Sequence, residues 1–346
     1  MSRPADPKLS ELTASSRRLA LVGLAKNTGK TETLAALLRE LKAEGRTVGV
    51  TSVGRDGEER DVIDSRIDKP RVHLPAGSLV ATTDALLRAS GIPHELLEDP
   101  GVRTPLGRVL VVRLKGPGAI EVAGPSAAAD VRAVSDAMLA HGAEQALIDG
   151  AVDRRAASSP QVSDGLVMAT GAILDRDIAE VVRQTRDAVD LVRLPLAGDG
   201  PEPLALPPRF VLTAEAEQIA QLLDESPTAC RLTVQGALPE RFLRSLLHPL
   251  RHRGRELTLV VADPTRVFLW KRGPEWYSQQ GVHLRVLTRI ELRALTVNPL
   301  APQSHRFDSA TLRAALEQAI PGVPVFDVLH PGYSGLRGAA PAARSS

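Results

Sequence analysis

The chain has 346 residues, 43% of them hydrophobic and 24% charged, which suits a globular protein of two domains or one enlarged α/β domain. Its formal net charge is +2 and only 3% of its residues are aromatic, so it encodes neither a strong field for nucleic acid or membrane nor a ring platform for single strands. One cysteine, Cys230, excludes a disulfide framework or a zinc–thiolate site within a single chain. No apolar run approaches the ~20 residues of a membrane span and no signal-peptide core is present, so a cytoplasmic location is expected.

Residues 1–18 are polar with scattered charge and are expected to be disordered. The apolar run 19–23 then enters Leu24-Ala-Lys-Asn-Thr-Gly-Lys-Thr31, after which Leu34, Leu37, Leu38 and Leu41 recur at helical spacing. A buried strand, a tight loop and an amphipathic helix are the parts of a phosphate-binding P-loop. Residues 46–53 supply a second strand and close a βαβ unit. Over 69–83 two short alternating runs flank Pro75-Ala-Gly77, the pattern of a β-hairpin inserted in the sheet. A strand at 108–114 ends in Lys115-Gly-Pro-Gly118, and a helix with Val131, Val134 and Met138 on one face leads to a strand at 145–148. That strand runs into Asp149-Gly-Ala-Val-Asp-Arg154, and another at 165–169 precedes a helix over 175–189. Strands alternating with helices predict a doubly wound, mostly parallel P-loop NTPase sheet over 19–194.

Five prolines between 195 and 208 mark a linker. Beyond it, strands at 231–235, 256–262, 282–287 and 323–329, with helices at 239–252 and 309–319, predict a smaller C-terminal α/β module over 209–330. Cys230 falls at a strand and is expected to be a small core residue. Residues 331–346 are rich in Gly, Ala, Pro and Arg and are expected to form a flexible tail.

In a P-loop the backbone N–H groups at the helix N-terminus surround the phosphates and the helix dipole favours the anion. Gly23, Lys26, Asn27, Thr28, Gly29, Lys30, Thr31 and Glu32 form the expected nucleotide cradle. Lys30 would neutralise the terminal phosphates of ATP or GTP, and the Thr31 hydroxyl would hold Mg²⁺. The usual spacing places the first glycine at Leu24, so with Gly23 the loop is either one residue longer or entered by a different turn. Lys26 lies four residues before Lys30, not the five of a lysine that crosses a dimer interface, and reads as a local phosphate or surface contact. Asp149 follows an apolar strand, the place of a Mg²⁺-holding acid; the alternative is a cap or turn residue before Gly150. Asp56 is either a metal-linked or water-positioning acid on a loop ordered by the γ-phosphate, or a solvated turn. Lys30, Asp56 and Asp149 are thus the candidate catalytic residues, and Thr31, Asp56 and Asp149 the candidate metal ligands. Lys115 reads as a phosphate contact or a surface lysine. His248 and His252 share a helix face without a Glu or Cys to complete a zinc site. The proline-bounded stretch 296–302 is a contact surface or a connection.

Together, Gly23-Leu-Ala-Lys-Asn-Thr-Gly-Lys-Thr31, Ser52-Val-Gly-Arg-Asp-Gly-Glu58, Lys69-Pro-Arg71 with Gly77 and Ala81-Thr82, Asp149-Gly-Ala151 with Asp153-Arg154, and Val297-Asn-Pro299 resemble the KamB-like subunit of the lysine 5,6-aminomutase reactivase. The resemblance spans residues 19–302; the tail after His330 has no counterpart in it. It implies a P-loop ATPase that works with a second reactivase subunit to reactivate an adenosylcobalamin-dependent aminomutase. Lys30 and Thr31 would then bind ATP–Mg²⁺, and Asp56 and Asp149 would couple hydrolysis to a shape change that releases damaged cobalamin from the client. No motif here would ligate cobalt. Two other classes stay open: a nucleotide-dependent cofactor-maturation protein of the molybdopterin-guanine-dinucleotide accessory type, which shares a Lys-Asn-x-Gly-Lys-Thr loop, and a small-molecule kinase or ATP-dependent ligase.

Overall fold

The structure, a computed structural model, describes residues 7–54, 71–151, 155–199, 204–206, 208–214, 216–225, 230–302, 304–330 and 333. Two compact units divide the chain: Met1–Val182 with Leu292–Ser346, and Arg183–Glu291. The first unit contains α1 (Leu9–Thr13), β1 (Arg18–Gly23), α2 (Lys30–Ala43), β2 (Val48–Ser52), β3 (Leu79–Thr83), β4 (His94–Glu98), β5 (Gly107–Leu114), α3 (Ala128–Ala140), β6 (Gln145–Ala151) and β7 (Gly165–Gly171). The helix α4 (Ile178–Val192) then leads into the second unit, with β8 (Leu204–Leu206), β9 (Arg231–Val234), α5 (Glu240–Arg253), β10 (Leu257–Val261) and β11 (Val282–Val286). The chain re-enters the first unit through β12 (Glu291–Asn298), followed by α6 (Ser309–Ala319) and β13 (Val325–Phe326).

The main sheet runs β13-β12-β7-β1-β6-β2-β3-β5-β4, with Arg103–Thr104 paired to β5 off that path. Parallel pairing joins β7 to β1, β1 to β6, β6 to β2 and β2 to β3. On the β5 side the pairing turns antiparallel. The fold is therefore mixed α/β around a mostly parallel sheet. Leu19, Ala20, Leu21, Val22 and Gly23 are all buried, as a continuous apolar run should be when helices cover both faces of a strand. Leu34, Leu37, Leu38 and Leu41 turn one stripe of α2 into the same core as Leu19, Leu21, Leu147 and Val167. Each such leucine contributes about 1.5–3 kcal/mol of transfer free energy. Because β2 lies beyond β6 while β7 lies on the other side of β1, connections diverge around β1. Ligand crevices form at such points, outside the carboxyl ends of the strands.

Several expectations give way to longer-range packing. Within the stretch expected to be disordered, α1 buries Leu9 completely, and the Ser10 N–H donates to Glu40 of α2 at 2.8 Å. Residues 71–83 form no hairpin: Val72–Leu74 pairs with Gly118–Ile120, and β3 enters the main sheet between β2 and β5. All five residues of β3 are buried, so it is a two-sided strand and its apparent alternation carries no facing information. Since β5 is antiparallel to β3, Lys115 at its carboxyl end lies at the opposite end of the sheet from the loop after β1.

The second unit has a parallel sheet in sequential order, β8-β9-β10-β11. Leu232, Val234, Leu259, Val261, Leu284 and Val286 pack with Leu243, Leu246 and Leu250 of α5. The expected linker contributes to this sheet, through β8 and through Leu196 bridged to Val286. Cys230 is exposed one residue before β9 begins, not a core residue. The end of the chain, expected in a C-terminal module, instead extends the main sheet: β12 buries Ala294–Val297, and Phe326 of β13 joins the core that holds the α2 leucines. Thr296 to Asn298 are therefore strand rather than loop. Tyr333, within the expected tail, is buried with its hydroxyl on Glu40 at 2.5 Å.

Candidate functional site

The loop after β1 starts with the Leu24 N–H donated to Ala169 O of β7 at 2.9 Å. Among the described residues Asn27, at φ 66°, is the one non-glycine with a positive φ, and Gly29 follows at φ 87°. The Thr28 hydroxyl folds inward to donate to Ala25 O at 3.0 Å. A Cβ on Gly23 would lie 2.5 Å from Thr28 Oγ1, so the early glycine serves close packing of the loop on the strand end.

Gly29 is the N-cap of α2 and no side chain caps the helix. The first N–H to find a helical acceptor is that of Thr33, on Gly29 O at 2.9 Å. Among the described residues, the N–H groups of Gly29, Lys30, Thr31 and Glu32 donate to nothing in the protein. Such orphan donors carry the positive end of the helix dipole, equivalent to about half an elementary charge. They form a ready site for an anion.

Lys30 Nζ stands 2.8 Å from Asp149 Oδ1, with both side chains 24% exposed. Asp149 sits inside β6, paired in register with Leu21 of β1 and Ser52 of β2, so it is not a helix cap. Lys30 is the ion-pair partner of the buried Asp149 Oδ1, and no other group of the protein donates a hydrogen bond to that oxygen. A lysine and a carboxylate oxygen are thus held together as a pair. Next to them the Thr31 and Glu32 side chains are exposed, as are Lys26 and Asn27, whereas Thr28 is buried and shapes the loop. Asp56, Gly57, Glu58, Asp153 and Arg154 lie outside the described residues. The entrance to the Asp56 segment is well anchored: Val53 N–H donates to Asp149 O at 2.8 Å and Gly54 N–H to Pro125 O at 3.0 Å. Ser52 Oγ also donates to Val122 O at 3.0 Å, and a Cβ on Gly124 would lie 2.0 Å from Ser52 O.

Two further residues reach this site from a distant segment. Thr296 Oγ1 meets Thr33 Oγ1 at 2.7 Å, and Asn298 Nδ2 donates to Asn27 O at 2.9 Å. The Val-Asn-Pro string at 297–299 is visible in the sequence, but nothing adjacent ties it to a loop near the other end of the chain. His248 and His252 stack with ring centroids 6.4 Å apart on α5. Among the described residues no group of three His, Cys, Asp or Glu could hold a metal ion, and no helix is long and apolar enough to cross a membrane. No protein-family model matches the chain, and no curated protein matches it.

Proposed function

We propose that the main sheet is a P-loop NTPase sheet, that the loop at 24–31 binds a nucleoside triphosphate with Mg²⁺, ATP or GTP, and that the chain hydrolyses it to act on a protein client. The observation that carries this reading is the Lys30–Asp149 pair at 2.8 Å beside the orphan N–H groups of residues 29–32. A lysine, a hydroxyl, a carboxylate and unpaired amides are the donor set that a Mg²⁺–polyphosphate needs. The buried Asp149 Oδ1 that pairs with Lys30 alone, and the close packing at Gly23 that keeps the loop tight, both fit such a ligand. Lys30 and the amides of residues 29–32 would hold the phosphates. Asp149 and the Thr31 hydroxyl would hold the cation, directly or through water. Mg²⁺ supplies neutralisation of charge on the phosphates. Asp56 is assigned the water-positioning or metal-linked role, on a segment whose start is tied to Asp149 through Val53.

The client is assigned from the resemblance: an adenosylcobalamin-dependent lysine 5,6-aminomutase, reactivated in the cytoplasm together with a second reactivase subunit by release of damaged cobalamin. The test is ATP hydrolysis by the purified chain with and without those two proteins, and recovery of aminomutase activity after cobalamin inactivation. Stimulated turnover with recovered activity supports the whole reading. Hydrolysis indifferent to both proteins overturns the client. Undiminished hydrolysis in Lys30→Ala overturns the P-loop assignment itself.

A further inference from the structure

The peptide between Asn27 and Thr28 is held from outside the loop. Asn298, the last residue of β12, donates from Nδ2 to Asn27 O at 2.9 Å. In a planar trans peptide the C=O and N–H point in opposite directions, so holding Asn27 O toward Asn298 turns the Thr28 N–H away from it. Asn27 is also left-handed at φ 66°, a conformation that costs an L-residue energy and persists where something fixes it. Gly29 packs closely on the same residue: a Cβ there would lie 3.0 Å from Asn298 Cβ. Beneath, a Cβ on Gly171 would lie 2.2 Å from Asn298 O, so β7 and β12 approach too closely at this point for any side chain. Two residues back, Thr296 Oγ1 and Thr33 Oγ1 share a hydrogen bond at 2.7 Å that ties the first turn of α2 to the same strand. One strand therefore holds the loop at residue 27 and the helix at residue 33. It is also the strand by which the chain re-enters the first unit after residues 183–291.

We infer that Asn298 is a positioning residue that presets the 24–29 loop for nucleotide phosphate and makes β12 respond to what the loop holds. This rests on the nucleotide reading proposed above. Asn298 Oδ1 accepts the Leu300 N–H at 3.1 Å, which supplies a clean variant. Asn298→Asp keeps that acceptor, removes the donor, and sets a carboxylate oxygen against Asn27 O. Full-length wild type, Asn298→Asp and Lys30→Ala are compared for Mg²⁺–ATP binding, for hydrolysis, and for amide hydrogen exchange over 291–298 and 29–33. The expected result is nucleotide-dependent protection of both segments in wild type. In Asn298→Asp, KM should rise about tenfold with a smaller change in kcat, and protection of 291–298 should be lost, with a small fall in melting temperature from the two opposed oxygens. If Asn298→Asp does not fold, Thr296→Val, which deletes only the hydroxyl contact, should weaken ATP binding about threefold with the same loss of coupled protection. Wild-type KM and wild-type protection in the variant overturn the role of Asn298 and leave the nucleotide site standing. No Mg²⁺–ATP binding by wild type, indistinguishable from Lys30→Ala, overturns the nucleotide reading and this inference with it.

Discussion

Asp149 and Glu240 are two carboxylates with opposite fates. Asp149 Oδ1 is buried and pairs with Lys30 alone, so its charge is balanced by one mobile side chain and by no fixed hydrogen bond of the protein. Asp149→Asn removes that charge while keeping the shape. Stability should stay within about 1 kcal/mol, while hydrolysis should fall about a hundredfold, read as kcat at saturating Mg²⁺–ATP. Glu240, at the start of α5, is fully engaged: Oε2 accepts the Trp270 N–H at 2.9 Å and the Lys271 N–H at 3.1 Å, and Oε1 accepts the Tyr277 hydroxyl at 2.9 Å. Burial pushes its pKa up, but the hydrogen bonds from Trp270, Tyr277 and Lys271 outweigh burial and leave it below the ordinary 4.5. Burial and the Glu240 carboxylate together hold the Tyr277 phenol above its usual value. A carboxylate with a depressed folded pKa stabilises above its unfolded pKa and loses that contribution as pH falls through the folded value. The second unit should therefore lose stability as pH drops below about 4.5. Glu240→Gln should cost about 2–3 kcal/mol at neutral pH and flatten that acid limb, measured as melting temperature against pH. An unchanged acid limb in the variant would assign the pH dependence to other groups.

At the scale of elements, α2 is held at both ends by chain distant in sequence. Its first turn meets Thr296, and its last turns carry Glu40, which accepts the Ser10 N–H on one oxygen and the Tyr333 hydroxyl on the other. Tyr333→Phe leaves a buried carboxylate oxygen without its donor and should cost about 1–2 kcal/mol, seen as a lower urea midpoint at constant slope. A midpoint equal to wild type would mean that Glu40 finds water instead. The β1–α2 core was legible because a two-sided strand writes a continuous apolar run and a helix facing a sheet writes a 3.6 period. Lys30 and Asp149 were visible as neighbours of those elements, a lysine opening the helix after the loop and an acid following an apolar run, but their contact was not. The Val297-Asn-Pro299 string was visible too, but its contact with the loop was not, because the partner of Asn298 is 271 residues away. The supposed hairpin at 69–83 failed on the same ground, since the partners of Val72–Leu74 and of β3 lie outside that segment. Local pattern says that a strand exists, but pairing depends on burial contributed by the rest of the sheet.

At the scale of the molecule, the order of the chain differs from the order of its cores. Sequence pattern alone places one domain before the proline-rich stretch and one after it, because nothing local marks a chain that leaves a sheet and later returns. In the structure, residues 183–291 form one unit, and β12 and β13 complete the sheet begun by β1. This difference has consequences for truncation. With two successive domains, a chain ending at 208 would keep a whole nucleotide sheet. Here, ending the chain after Glu291 removes β12 and β13, uncovers the edge of β7, and deprives the 24–29 loop of Asn298 and Thr33 of Thr296. An unpaired apolar edge invites aggregation. The truncated chain should be poorly soluble or melt without cooperativity, and should show no stabilisation by Mg²⁺–ATP. The intact chain should gain about 2.7 kcal/mol at a ligand concentration one hundred times Kd. Residues 183–291 alone, which contain a parallel sheet and the apolar cluster of Leu232, Leu243, Leu259 and Leu284, should unfold cooperatively and show no response to nucleotide. Thermal melts followed by circular dichroism, with and without Mg²⁺–ATP, separate the two arrangements. A soluble, nucleotide-stabilised chain ending at 291 would mean that the first seven strands are sufficient and that β12 is an accessory to the site.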